Sequence, residues 1–225
     1  MPVLSRGNCL KDQKADVVSG SACAVTIRDN GFHKPLAAQE SMTDLFSPRH
    51  ATPDDMPALE RLMEAAIRIL LREHLTPEEV AASFSVMGLD TQLIDDETYY
   101  VLESDGRIAG CGGWSRRATL FGGNHTAGRS EALLDPARDA ARVRAMYTHP
   151  DFARRGVGRM ILALCEAEAA KEGFRRVELA ATMGGLPLYR ACGYVDIEPF
   201  REPTPSGVSV PLVRMGKVLN QAPPP

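Results

Sequence analysis

Apolar residues fall three and four apart from Leu59 to Leu71, through Leu62, Met63, Ala66, Ile67 and Leu70, which is the single stripe of an amphipathic helix. Thr52 stands ahead of it as a cap, Pro53 takes the first helical position, and Asp54 and Asp55 fill the first turn, where free amides and the helix dipole favour negative charge. A short extended segment near Arg49 to Ala51 precedes them. Thr76 and Glu79 form a capping box around Pro77 and open a second helix, which carries Val80, Phe84 and Met87 to a stop at Gly88. The period then changes. Thr98 to Glu103 and Arg107 to Ser115 read as two strands joined by the tight turn Ser104, Asp105, Gly106. Gly110, Gly112 and Gly113 within the second strand mark a bulge or a close backbone approach.

Ala118 to Asp139 is long, polar and rich in glycine, the kind of connection that serves as a substrate lid. A strand from Val143 to Thr148, a helix from Gly156 to Glu172, a strand from Arg176 to Ala180 and a short helix ending at Gly193 follow. Val208 to Val218 reads as a final strand, with Pro211 placing it at an edge or a bulge. This alternation predicts an α/β fold with a mixed central sheet and flanking crossover helices. Patterned sequence occupies residues 46–219 as one domain. Residues 1–45 hold no period longer than Ala22 to Ile27 and read as a disordered or weakly packed tail, with Met42 as a candidate natural start, and residues 220–225 form a Pro-rich C-terminal tail.

Composition narrows the function. The 225 residues are 44% hydrophobic and 24% charged, the makeup of an ordinary globular protein with one substantial core. A net charge of -3 and a pI near 6.0 give no general attraction for nucleic acid or an anionic membrane, so any polyanion site must be local. No run of apolar residues is long enough to span a bilayer and no secretory leader is evident, so the expectation is a cytoplasmic protein. Cys9, Cys23, Cys111, Cys165 and Cys192 are scattered and read as reduced thiols. His33, His50, His74, His125 and His149 take no metal-binding spacing, and no metal is expected.

The segment with chemistry in it runs from the strand ending at Thr148 through His149, Pro150, Asp151, Phe152 and Ala153 to Arg154, Arg155, Gly156, Val157, Gly158 and Arg159. Val157, Met160, Ile161, Leu164 and Cys165 continue at helical spacing, so the glycines sit at a helix amino end. Free N–H groups and the dipole make that position an anion site, glycine admits a phosphate to the backbone, and the arginines add charge. A sharp strand-to-helix turn with solvated arginines would also use these residues. Neither a Walker A loop nor a dinucleotide fingerprint is present.

Val143 to Tyr194 resembles the GNAT superfamily of acyl-CoA-dependent N-acyltransferases. The resemblance rests on the strand ending at Thr148 to Asp151, on the Arg-Arg-Gly-Val-Gly-Arg turn, and on Leu188, Tyr189, Arg190, Ala191, Cys192, Gly193 and Tyr194, which match that family's Tyr-x-x-x-Gly-aromatic signature. A weaker likeness extends from Arg49 to Val218. The resemblance implies a splayed central sheet in which the backbone of Met146, Tyr147 and Thr148 pairs with the pantetheine arm of acetyl-CoA, as an added strand would. It further implies that Arg154, Arg155, Gly156, Val157, Gly158 and Arg159 hold the pyrophosphate. Ala153 stands where the family usually has Gln or Arg, a missing phosphate contact for which Arg154 and Arg155 would compensate.

Acyl transfer to an amine needs a neutral nucleophile, an oxyanion stabiliser and a protonated leaving thiol. By resemblance Tyr189 is the acid; as a residue one turn before Gly193 it also suits the core. The region from Arg142 to Met146 lacks the carboxylate that some members of the family use as base, which leaves Glu103, Glu178, His149, His125 or ordered water. Cys165 and Cys192 read as buried small hydrophobes. The expected activity is N-acetylation of a primary amine on a small molecule or peptide by direct attack, with a non-catalytic acyl-CoA-binding sensor as the alternative. Arg116, Arg117, His125, Arg129 and Glu131 in the lid carry no dominant charge that would choose the acceptor. The family often pairs through sheet edges or C-terminal strands, so a homodimer is also implied as possible.

Overall fold

A computed structural model describes residues 45–126 and 129–219; the tails at 1–44 and 220–225, with the Ala22 to Ile27 stretch and Met42, lie outside the described residues. Seven strands, β1 (Ser47–His50), β2 (Tyr99–Ser104), β3 (Arg107–Ser115), β4 (Ala141–Thr148), β5 (Arg176–Thr182), β6 (Val195–Pro203) and β7 (Ser209–Val218), form one open sheet in the order β1-β2-β3-β4-β5-β7-β6. The α-helices are α1 (Met56–Leu70), α2 (Pro77–Ser83), α3 (Thr91–Asp95), α4 (Val157–Lys171) and α5 (Leu186–Ala191).

Alternation along β2 sorts them into layers. Tyr99 and Val101 join the α1 side chains Leu59, Leu62, Met63 and Ile67 in one core, whereas Tyr100 and Leu102 join the α4 side chains Val157, Ile161, Leu162 and Cys165 in another. Neighbouring residues of a strand point to opposite faces, so α1 and α4 cover opposite sides of the sheet. Both predicted cap arrangements are present: Thr52 with Asp55, which opens a 3-10 turn over Pro53–Asp55 ahead of α1, and Thr76 with Glu79, which opens α2. Helical geometry in α2 ends at Ser83, short of Gly88, as the chain turns through Phe84 to Met87.

The sheet opens in its middle. β4 and β5 run parallel and pair only at Ala141↔Val177 and Arg142↔Glu178. Beyond that junction β4 stays on β3, and β5 stays on β7 from Arg176 to Thr182. The facing edges, 143–148 and 179–182, are thus left without a partner strand. Glu178 fastens the junction, taking Arg142 of β4 at 2.5 Å and Arg214 of β7 at 2.7 Å.

One expectation is corrected, and one strand was not expected. β7 is an interior strand between β5 and β6, and Pro211 is tolerated because it lies one residue past the last β5 pair, Thr182↔Leu212. β6 was not foreseen, because its alternation of Val195 and Ile197 with Asp196 and Glu198 is short and is broken by Pro199 and Pro203, which argue against a strand. The connection after β3 is tied down where it is described: Leu134 donates to the Arg116 carbonyl at 2.8 Å, Ala118 to that of Ala132 at 2.9 Å, and Arg117 meets Asp96 at 2.7 Å.

Gly110 and Gly112 let α4 lie close on β3. A Cβ at Gly110 would strike Val157 and stand 2.9 Å from the Tyr147 carbonyl, neither of which has room to move. A Cβ at Gly112 would meet the flexible Met146 side chain and also stand 2.8 Å from the fully buried Ile161 of α4. Gly110→Ala and Gly112→Ala are therefore each expected to cost about 1–3 kcal/mol of stability, as read from urea unfolding midpoints.

Candidate active site

Two adjoining cavities occupy the opening between β4 and β5. One, of about 610 Å³, is walled by Val86, Met87 and Gly88 after α2, by Leu120, Phe121 and Gly122, and by Leu212. The other, of about 690 Å³, reaches from Ile67, Leu70 and Leu71 of α1 to Gly158, Gly184 and Leu188. Met146, Tyr147 and Tyr189 line both, so the two form one cleft along the free edge of β4.

A bulge shapes that edge. The β3–β4 register shifts between Cys111 and Gly113, and Ala145 adopts a φ of 50°, a left-handed conformation that costs energy for a residue with a Cβ. The fully buried Tyr99 holds it, its phenol donating to the Ala145 carbonyl at 3.0 Å. Sequence reasoning missed Tyr99, since an aromatic residue opening a strand looks like ordinary core.

Beyond Thr148 the chain turns into α4. His149 Nδ1 accepts the Asp151 N–H at 3.2 Å, and Phe152 is buried beneath the guanidinium groups of Arg107 and Arg155, at 5.2 and 5.5 Å. Arg154 at φ 64° and Gly156 at φ 85° then reverse the backbone so that α4 starts at Val157. The first-turn amides of α4 have no acceptor within the helix. Arg154, Arg155 and Arg159 are exposed, and none forms an ion pair among the described residues. Val157 is buried in the core, so only its backbone faces the turn. At Gly158 a Cβ would stand 2.8 Å from Leu188, so glycine permits α4 and α5 to converge at the cleft floor.

Tyr189 rises from α5 at the point where the cavities meet. Gly185, one turn earlier, makes room for its ring, because a Cβ there would lie 2.8 Å from Tyr189 Cε2. The ring packs 5.8 Å from Tyr194 and is 8% exposed. Burial, reinforced by Cys165 and Cys192, raises its pKa well above the ordinary phenol value, so the proton stays on at neutral pH.

Met146, Tyr147, Thr148, Gly158 and Tyr189 thus come together in the cleft, and Arg154, Arg155, Gly156, Val157 and Arg159 form the turn next to it, outside the cavity walls. The suggested bases lie elsewhere. Glu178 is held by two arginines, Glu103 by Arg49 at 2.6 Å, and His149 by its turn, while His125 is exposed and packs on Gly88. No Asp, Glu, His or Lys is among the described residues that line either cavity. His74, another residue the motifs did not single out, packs on Gly184 at the rim.

One charged side chain reaches the cleft. Arg144, 3% exposed, approaches Asp90 Oδ2 at 2.7 Å and donates to the Gly122 carbonyl at 2.9 Å. Arg129 binds the other Asp90 oxygen at 2.6 Å. The Arg144 contact is close but poorly aligned for hydrogen bonding, and among the described residues Asp90 Oδ2, Arg144 Nε and Arg129 Nη1 have no hydrogen-bond partner. Burial, partly offset by Asp90, pushes the Arg144 guanidinium down to about 10, which still leaves it charged at neutral pH.

The family model described as acetyltransferase (GNAT) family matches residues 60–194. Solved structures share the fold. A GCN5-related N-acetyltransferase from Rhodopseudomonas palustris superposes with a TM-score of 0.57 at 19% identity, over 77% of this chain and 95% of that one. A ribosomal-protein-alanine N-acetyltransferase from Brucella melitensis does so with a TM-score of 0.52 at 21% identity, over 77% and 99%. The PaiA N-acetyltransferase from Thermoplasma acidophilum, in complex with coenzyme A, gives 0.52 at 12% identity over 77% and 98%. No curated protein sequence matches the chain. Among the described residues, no helix is long and apolar enough to cross a membrane, and no cluster of His, Cys, Asp and Glu is arranged to hold a metal.

Removing the Tyr99 hydroxyl leaves the Ala145 carbonyl unsatisfied next to the cleft. Tyr99→Phe is expected to lower stability by about 1–3 kcal/mol in denaturant titration and to weaken ligand binding along β4. An unchanged stability would remove Tyr99 from its role as support of the bulge.

Proposed function

The chain belongs to the acetyltransferase (GNAT) family, and we propose that it transfers an acetyl group from acetyl-CoA to a primary amine of a small molecule or peptide by direct attack. The observation that carries this reading is the free β4 edge ending in the arginine-rich turn, with Tyr189 beside it. The two pantetheine amides would pair with Met146, Tyr147 and Thr148 in place of the missing strand, and the pyrophosphate would rest on the turn from Arg154 to Arg159.

In this reading the amine nitrogen attacks the thioester carbonyl carbon, the C–N bond forms as the C–S bond breaks, and the electron pair leaves on sulfur. Backbone N–H groups along β4 are the donors nearest the developing oxyanion. The thiolate takes the Tyr189 proton; the same apolar surroundings that raise the phenol pKa raise the proton affinity of the sulfur, so the transfer remains feasible. A primary amine with a pKa of about 10 is mostly protonated at pH 7, and with no carboxylate or imidazole lining the cleft its proton departs through water. No covalent acyl-enzyme is needed.

That lack of a lining base favours a second reading, an acyl-CoA-binding module without turnover. Calorimetric titration with acetyl-CoA, with ATP and NAD as comparisons, tests what the two readings share: saturable binding lost in an Arg155→Glu, Gly156→Pro double variant is expected, and a folded protein that binds no acetyl-CoA would overturn both. Tyr189→Phe separates them. For the enzyme, turnover falls about 100-fold or more while acetyl-CoA affinity changes little, and the wild-type rate shows no descending limb from Tyr189 ionisation below about pH 10. An undiminished rate in Tyr189→Phe would take the proton-donor role from it.

A further inference from the structure

The acceptor side of the cleft carries a charge signature. Its walls are apolar (Val86, Met87, Leu120, Phe121 and Leu212), and the one charged residue among them is Arg144. Arg144 and Arg129 share the single carboxylate of Asp90, which is fully buried. Two guanidinium groups against one carboxylate leave a net positive charge, and whereas the Arg129 side chain is 20% exposed and meets water, that of Arg144 is 1% exposed and does not. Such a charge is costly unless a counterion meets it. Arg144, the one of the two that lines the cleft, keeps a donor for it, since its Nε has no hydrogen-bond partner among the described residues.

Resting on the acetyltransferase reading, we propose that the acceptor is an amine bearing a carboxylate and an apolar body, of the kind represented by a free apolar α-amino acid, and that Arg144 reads the carboxylate. A monoanion matches the single unbalanced charge, and the guanidinium is suited to a carboxylate's two oxygens. The apolar walls take the side chain. A polycationic acceptor meets the opposite situation, because no carboxylate among the described residues lines the cleft to receive its charges and a buried arginine repels them. The Gly122 carbonyl, which accepts from Arg144 at 2.9 Å, ties this reading to the wall of the cavity.

The test compares L-leucine, L-methionine and L-phenylalanine with their carboxamides and with spermidine, at saturating acetyl-CoA, by thiol release. The carboxamides have the less basic amino groups and more of the neutral nucleophile at pH 7.5, so intrinsic reactivity favours them. The expected result runs the other way: kcat/KM for the amino acids exceeds that for their amides by about tenfold or more, and spermidine gives no more than background. An Arg144→Gln variant, which leaves Asp90 paired one-to-one with Arg129, is expected to bind acetyl-CoA as the wild type does and to lose the preference for the carboxylate. Amides or spermidine used as well as the amino acids, or no amino acid used by a protein that binds acetyl-CoA, would overturn the inference while leaving the acetyltransferase reading in place. A wild type that fails to bind acetyl-CoA would remove the reading beneath it as well.

Discussion

Two residue pairs hold β4 to β5, and the rest of the site depends on their being only two. Had the strands stayed together past Arg142 and Glu178, the sheet would be continuous and closed to ligand. Instead they part, and two runs of backbone N–H and C=O groups face a cleft without strand partners. Polar backbone groups at such a place are costly unless something bonds to them, so the opening is a defect in the sheet with free backbone donors and acceptors along its edges. Glu178 marks where the parting begins. By binding an arginine from the strand on either side, it holds β4, β5 and β7 together at the vertex and is used up as a carboxylate in doing so.

The other features set what the opening can do. Gly110 and Gly112 bring α4 against β3, which places the amino end of α4 next to the last residues of β4. Tyr99 supports the strained Ala145, and the resulting bulge gives the β4 edge its local shape. Gly158 and Gly185 let α5 approach, so that Tyr189 stands at the junction of the two cavities.

Charge is kept to the two ends of an otherwise uncharged cleft. At one end three exposed arginines surround free helix amides; at the other Arg144 lies buried with Asp90. Between them the walls carry hydroxyl groups and apolar side chains. In such surroundings a phenol keeps its proton and an ammonium is disfavoured, which are the two protonation states that aminolysis of a thioester requires.

What the sequence determined was whatever its short-range pattern encodes. Thr52 and Asp55, or Thr76 and Glu79, lie three residues apart, and their caps form between neighbours. β3 occupies the span its pattern predicted, and the glycine-arginine turn falls at the start of α4 as its spacing required. Tertiary structure decided the pieces that depend on partners far away along the chain. Tyr99 reaches Ala145 across 46 positions, Arg129 reaches Asp90 across 39, and Arg142 reaches Glu178 across 36. No local period records such pairs. β6 escaped notice for a related reason: it is an exposed edge interrupted by prolines, and its hydrogen bonds to β7 hold it in place. The cleft belongs with these. Each of its edges reads as an ordinary strand, and only the loss of pairing between them, a property of neither segment alone, makes a site.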